Sequence, residues 1–348
     1  MKITALSVYP IKALRGIELK SAQIGPLGIK HDRNFILYEV HPSTGTLKKI
    51  QLDSHPRCAL FEQQIVSADE AALVVVRYHG STPKNAAATE ESKQLQIPLE
   101  PDMSSLEKID VVLHSSPASA YRMGDAYDAW FSEHFGVPTM LVYLGDGRRA
   151  VLGKTLPPKP AQEQQQQGWI SSLTSYIIGS QGPGVNSGPW VSFSDVAPLM
   201  VASEPSLKDV RDRLLNGQPV EMYKFRPNIV VDGEGEDAWA EDFWAELAIG
   251  PSHSVEKNTL QLTGNCVRCT SLNVDYQTGK PAEGELGNVL KRLMKDRRVD
   301  TGSKWSPVFG RYAFLDGRHT EGINVSVGDS VEVTRRNTER SAWDWPGM

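Results

Sequence analysis

Apolar and polar positions alternate along the first third of the chain in the manner of strands. Ile3 to Val8 alternates weakly, and Phe35 to Val40 is an apolar run with β-branched residues. His41-Pro42-Ser43-Thr44-Gly45 is turn chemistry between two strand-like runs and predicts a hairpin. Leu73 to Tyr78 and Lys108 to His114 read as further strands, and the polar stretch Ser81 to Lys93 as a loop. After His114 the period changes. Met123, Tyr127, Trp130, Phe131 and His134 recur at helical spacing, and Gly136-Val137-Pro138 ends the pattern. Core packing is the expected role of this aromatic stripe.

Thr155 to Gly168 holds three prolines and five glutamines, which predicts a flexible loop. Ser203 to Gly217 reads as a helix. Ser203 would be its N-cap, Leu207, Val210 and Leu214 its buried face, and Gly217 its left-handed C-terminal residue. Ile229 to Val231 is a short buried strand, and Trp239 to Leu247 reads as one or two helical turns. Leu260 to Val274 alternates as a strand, and Leu286, Val289, Leu290 and Leu293 share a helix face. Ile323 to Val333 suggests a hairpin turning at Val327-Gly328-Asp329-Ser330.

Strands are grouped rather than alternating strictly with helices. An α+β, β-rich fold follows, with a barrel-like core and flanking helices, in preference to a doubly wound sheet. The chain has 348 residues, room for two or three domains. The expected division is an N-terminal β-barrel-like domain over 1–150, a linker over 151–170, a second domain over 171–336 and a tail over 337–348.

A formal net charge of −5 argues against a nucleic-acid binder, though not against a local basic pocket. Three cysteines, Cys58, Cys266 and Cys269, suggest a reducing compartment without a disulfide framework. The N-terminus lacks the apolar stretch of a signal peptide, and no run approaches a membrane span. The expectation is an intracellular, cytoplasmic protein without a membrane anchor, mitochondrial association being left open.

Cys266-Val267-Arg268-Cys269 carries the sharpest chemistry. A zinc site would need further ligands at set spacing. A redox pair would open a helix, whereas Thr270 to Val274 reads as strand. One metal-binding thiolate beside an idle neighbour, or two buried structural cysteines, remain. Upstream lies Phe225-Arg226-Pro227-Asn228. Its proline should hold Arg226 extended, so that a guanidinium and an amide face one planar or anionic ligand.

The FRPN run followed by the C-x-R-C run resembles the MOSC domain. Tyr9-Pro10-Ile11-Lys12-Ala13-Leu14-Arg15-Gly16, Gly28 to Arg33 and His55-Pro56-Arg57-Cys58 resemble its associated N-terminal β-barrel. Ser194-Asp195 ahead of Pro198, and Ser306-Pro307-Val308-Phe309-Gly310-Arg311-Tyr312, match further family segments. Within the family the chain most resembles the mitochondrial amidoxime-reducing component type. The resemblance implies the molybdenum cofactor, Mo-molybdopterin, with Cys269 as the protein ligand of molybdenum and Asp195 as a catalytic residue near it. It implies cofactor contacts from Lys12, Arg33, Ser194, Arg226, Asn228 and Arg268. Ala13 stands where the family has serine, so one hydroxyl is missing; the Ser306–Tyr312 run should wall the pocket with Tyr312 mostly packing, and Cys58 should be structural.

The implied reaction is reduction of amidoximes, hydroxylamines or N-oxides by oxygen-atom transfer to Mo(IV). Electrons would come from a separate cytochrome b5-like or ferredoxin/flavin reductase system, since no iron–sulfur cysteine cluster is visible. The alternative is a non-catalytic carrier of the cofactor.

Overall fold

The computed structural model describes residues 1–68, 71–80, 93–153, 156, 189–215, 218–252, 254 and 257–346. Most of the two expected loops, at 81–92 and 157–168, and the expected cap Gly217 lie outside them.

Eight strands form the main sheet, in the order Ile17–Leu19, Ile3–Val8, Ile229–Val231, Leu199–Ser203, Val308–Leu315, Asn258–Val267, Trp244–Gly250 and Ser330–Arg336. All neighbours are antiparallel except Leu199–Ser203 beside Ile229–Val231. The far edge returns to the start of the chain. The amide of Ile3 donates to Asp329 O at 2.9 Å and that of Val331 to Met1 O at 2.8 Å. The sheet thus curls on itself, which satisfies edge groups that an open sheet leaves bare.

Period-two alternation sorts the residues of this sheet into two cores. Leu199, Val201, Ile229, Trp244, Leu247 and Leu260 pack in one cluster. Met200 and Ala202 turn the other way, packing with Phe225, Phe309, Leu207 and Val210. The last two belong to the helix Glu204–Asp212, which Ser203 caps by accepting from the Ser206 amide. Leu262 and Cys266 share parity yet fall in different clusters. The cause is the register shift between Leu262 and Gly264, a bulge that re-aims the side chains after it; a second shift follows between Asn265 and Val267.

A five-stranded sheet, Glu107–Leu113, Ser116–Arg122, Thr139–Tyr143, Phe35–Val40 and Leu47–Lys49, forms the second layer. The helix Asp125–Phe135 closes its core: the Phe135 ring stacks on Phe61 at 4.7 Å. Gly136 ends that helix at φ 75°, a conformation that costs glycine nothing. The segment Tyr9–Lys12 crosses between the layers, since Lys12 N donates to Phe35 O at 2.8 Å.

The α+β, strand-rich architecture is as expected, and several local expectations are corrected. A strand, Ser116–Arg122, precedes the first helix; its serines, alanines and Pro117 hid it. Trp239–Leu247 is a single 3-10 turn, Ala240–Phe243, running into the strand Trp244–Gly250. The strand carrying Cys266 stops at Val267, and Thr270–Asn273 is a 3-10 turn with Cys269 at its N-terminal boundary. Val327–Ser330 is a corner and not a hairpin. Ile323–Ser326 pairs with Ser21–Gly25, whereas Ser330–Arg336 pairs with Trp244–Gly250.

Candidate functional site

Four distant stretches meet in one open cleft. Lys12, Ala13 and Arg33 come from the N-terminal segment, and Ser194 and Asp195 from the loop before the Leu199–Ser203 strand. Arg226 and Asn228 follow the 3-10 turn Met222–Phe225; Cys266, Arg268, Cys269 and Tyr312 come from the far side of the main sheet. Every residue expected to bind or react therefore lines this cleft.

Tyr9 organises two of the cations. The Cζ atoms of Arg33 and Arg226 lie 4.5 and 4.3 Å from its ring centroid, so one aromatic holds two guanidiniums near each other. Its hydroxyl donates to Pro227 O at 3.0 Å, and burial pushes its pKa up to about 12 despite the two arginines. Arg33 pairs with buried Asp32 and donates to Asn228 Oδ1 at 3.2 Å. Arg226 Nη1 donates to Leu14 O at 2.7 Å, while its buried Nη2 has no partner among the described residues. The expected extended backbone at Arg226 is corrected: it is left-handed, at φ 59° and ψ 42°. Pro227 disfavours the right-handed helical region, and the residue terminates a 3-10 turn whose last bond is Arg226 N to Tyr223 O.

Asn228 is committed to the protein itself. Its Oδ1 also accepts from Met200 N at 3.1 Å, and its Nδ2 donates to Ser7 O at 3.2 Å. It fixes the cleft wall between the two adjacent strands.

The two cysteines differ sharply. Cys266 is buried, and Arg268 Nη1 donates to its sulfur at 2.9 Å while Arg268 Nη2 donates to Phe225 O at 2.9 Å. Cys269 is exposed on the cleft, its Sγ 3.2 Å from Ser271 Oγ. Burial, reinforced by Cys266 and Asp195, drives the Tyr312 pKa well above its ordinary value, so this wall residue is a neutral phenol. Cys58 lies fully buried in the second-layer core, and burial pushes its thiol up, as a structural residue requires.

Asp195 is the negative counterpart. Lys12 donates to its Oδ1 at 2.5 Å, and His114 Nε2 lies 3.1 Å from the same atom. Partial burial would raise the carboxyl, but Lys12 and His114 together bring it well below its ordinary value. Burial lowers Lys12 to about 8, with Asp195 opposing. Arg149 clamps the loop from behind: it donates to Ser192 O and Leu113 O at 2.8 Å and to Ser194 O at 2.7 Å. Neither His114 nor Arg149 stood out in the sequence, because each is defined by partners more than 30 positions away.

Backbone strain gathers here too. Among the seven described non-glycine residues at positive φ, Ala13, Arg33 and Arg226 line the cleft and His114 touches Asp195. Ala13 brings no hydroxyl. Three buried polar atoms of cleft residues have no protein partner among the described residues: Ser194 Oγ, Arg226 Nη2 and Arg268 Nε. Unmet donors beside four cations and an exposed thiol fit an anionic, hydrogen-bonding ligand that carries a soft metal.

The MOSC N-terminal beta barrel domain matches residues 1–138, and the MOSC domain matches residues 188–332. The human mitochondrial amidoxime-reducing component 1 is 26% identical over 339 residues, covering 94% of this chain and 82% of that one. The human molybdenum cofactor sulfurase is 24% identical over 341 residues, covering 97% of this chain and 33% of that one. A sulfurase from Oryza sativa subsp. japonica is 23% identical over 287 residues, covering 80% and 29%. The chain thus spans about a third of the sulfurases it matches. No helix among the described residues is long and apolar enough to cross a membrane.

Proposed function

The chain belongs to the MOSC-domain family, and on that premise we propose that it is a molybdenum-cofactor-dependent reductase of N-hydroxylated compounds. The sulfurase relatives carry the molybdenum cofactor in their names and the other kind carries amidoxime reduction, which together support a molybdenum-cofactor-related function. The finer reading rests on one observation: an exposed thiol, Cys269, opens on a cleft lined by four cations.

In this reading Lys12, Arg33, Arg226 and Arg268 hold the cofactor's phosphate and the polar edge of its pterin. Ser194 Oγ and Arg226 Nη2 gain the partners they lack. Asn228 keeps the strand ends in register and so fixes where Arg33 stands. Cys269 supplies the protein thiolate, because Cys266 is already occupied by Arg268 and buried. When bound, the cofactor supplies the two-electron chemistry that removes oxygen from an N–OH or N-oxide group. Asp195, with Lys12 on one oxygen, presents a carboxylate to the substrate side of the cleft and orients a polar N–OH group. The electrons come from a separate redox protein, of the cytochrome b5-like or ferredoxin/flavin reductase kind.

The sulfurase relatives favour a second reading, in which the chain holds the cofactor without turning over a substrate. Protein made in a cofactor-competent host decides between the two. Reduction of benzamidoxime with an artificial electron donor, tracking molybdenum content, supports the enzyme. Bound molybdenum without turnover supports the carrier, and absence of both refutes each.

A further inference from the structure

Two residues, His114 and Ser115, join the strands Glu107–Leu113 and Ser116–Arg122, both at positive φ, 52° and 63°. Two-residue hairpins of this shape favour Asn and Gly, because a Cβ is crowded there. Nothing local in the turn calls for a histidine. It is secured from outside instead. Arg149 Nη2 donates to Leu113 O, the Trp345 indole to His114 O, and Ser116 Oγ to Ala150 O, each at 2.8 Å.

The imidazole so placed is 5% exposed and meets Asp195, 81 positions away. Its Nδ1 lies 3.3 Å from Lys49 Nζ and its Nε2 3.1 Å from Asp195 Oδ1. An ammonium group only donates, so Nδ1 accepts, and the ring proton sits on Nε2 and is donated to Asp195. Lys12 donates to that same oxygen. Among the described residues no hydrogen bond reaches Asp195 Oδ2.

We propose that His114 is a positioning residue: as a neutral Nε2–H donor it pins Asp195 Oδ1 beside Lys12 and leaves Oδ2 free for the molecule in the cleft. The proposal rests on reading this cleft as the active site. The charged groups facing the ring are Asp195, Lys12 and Lys49. Burial keeps the imidazole neutral, against Asp195 and with help from Lys12 and Lys49. A proton added at Nδ1 would face the Lys49 ammonium and break that contact, so the arrangement is lost at acid pH.

Two arms test this. The first uses the apoprotein. Nitrogen-15 NMR should find His114 as the Nε2–H tautomer, with resonances that move in Asp195→Asn. The Nδ1–H tautomer overturns the proposal whatever the protein's activity. The second arm uses cofactor-loaded protein. His114→Leu should lower kcat/KM by about 10–100-fold, as loss of a supporting contact does. His114→Gln, whose amide can donate to Asp195 and accept from Lys49, should restore most of it and abolish the acid limb of the pH profile. Equal damage in Gln and Leu, or an unchanged acid limb in Gln, overturns the proposal. A loaded wild type that reduces no N-hydroxylated substrate refutes the proposed function instead, and the NMR arm still decides the role of His114.

Discussion

Arg268 Nη1 and Cys266 Sγ are 2.9 Å apart, and that contact gives two cysteines three positions apart different environments. Both line the cleft, but Cys266, in the strand just after the bulge near Gly264, is buried, whereas Cys269, beyond the strand's end, is exposed. Cys269→Ser should abolish reduction of N-hydroxylated substrates, because a hydroxyl is a harder and poorer donor to molybdenum than a thiolate. Cys266→Ser should keep most of the activity and lose stability on the order of 1 kcal/mol from burying a hydroxyl. Activity and molybdenum content of both variants check this. Equal loss of activity with the metal still bound would mean that the two thiols act as a pair.

Arg226 and Arg33 share Tyr9 but not their other obligations. Arg226 Nη2 has no partner among the described residues, so Arg226→Ala should weaken cofactor retention by about 1.5–3 kcal/mol, roughly tenfold or more. The apoprotein should melt nearly as the wild type does. Arg33→Ala should cost retention and stability together, because it strands buried Asp32. Pterin content and apoprotein melting separate the two effects. A normal pterin content in Arg226→Ala would remove the anion pocket from the account.

These arginines also show what a local stretch of sequence does not encode. The strands Ile3–Val8 and Phe35–Val40 were legible to the residue because their apolar runs end in turn chemistry. All eight expected site residues converge on one cleft, since local motifs named them. What local motifs could not encode is conformation set from afar. Arg226 is left-handed because it ends a 3-10 turn before a proline, and Cys269 left the strand because the ladder stops at Val267. His114 reads as the end of a strand, and only its distant partners Asp195, Lys49 and Trp345 give it a role. The strand Ser116–Arg122 escaped notice because serine, alanine and proline carry little β signal.

Lys12 should make anion binding depend on pH. Burial lowers it to about 8, so its positive charge is present below that pH and lost above it. Binding of inorganic pyrophosphate to the apoprotein should weaken as pH rises through this value, with proton uptake on binding above it. Lys12→Met should bind weakly at every pH, without that slope. Calorimetry in buffers of different ionisation enthalpy reads both quantities, and a wild type indifferent to pH would contradict the assignment.

Glu241 should shape stability away from the cleft. Burial raises its carboxyl from 4.5 to about 7, against hydrogen bonds from Ser206 and Ser203. The folded protein holds this proton more tightly than the unfolded chain does. Its contribution is therefore complete below pH 4.5 and lost as pH rises through about 7. The loss is on the order of 3 kcal/mol. Glu241→Gln should flatten the fall in melting temperature over that window. An unchanged slope in the variant would show that another group carries it.

The cleft between Lys12 and Cys269 is proposed to hold the molybdenum cofactor. Metal analysis and pterin fluorescence on protein purified from a cofactor-competent host test it most directly. Molybdenum and pterin should be present in equal amounts, stoichiometric with the chain. Stoichiometric zinc with no pterin would contradict it.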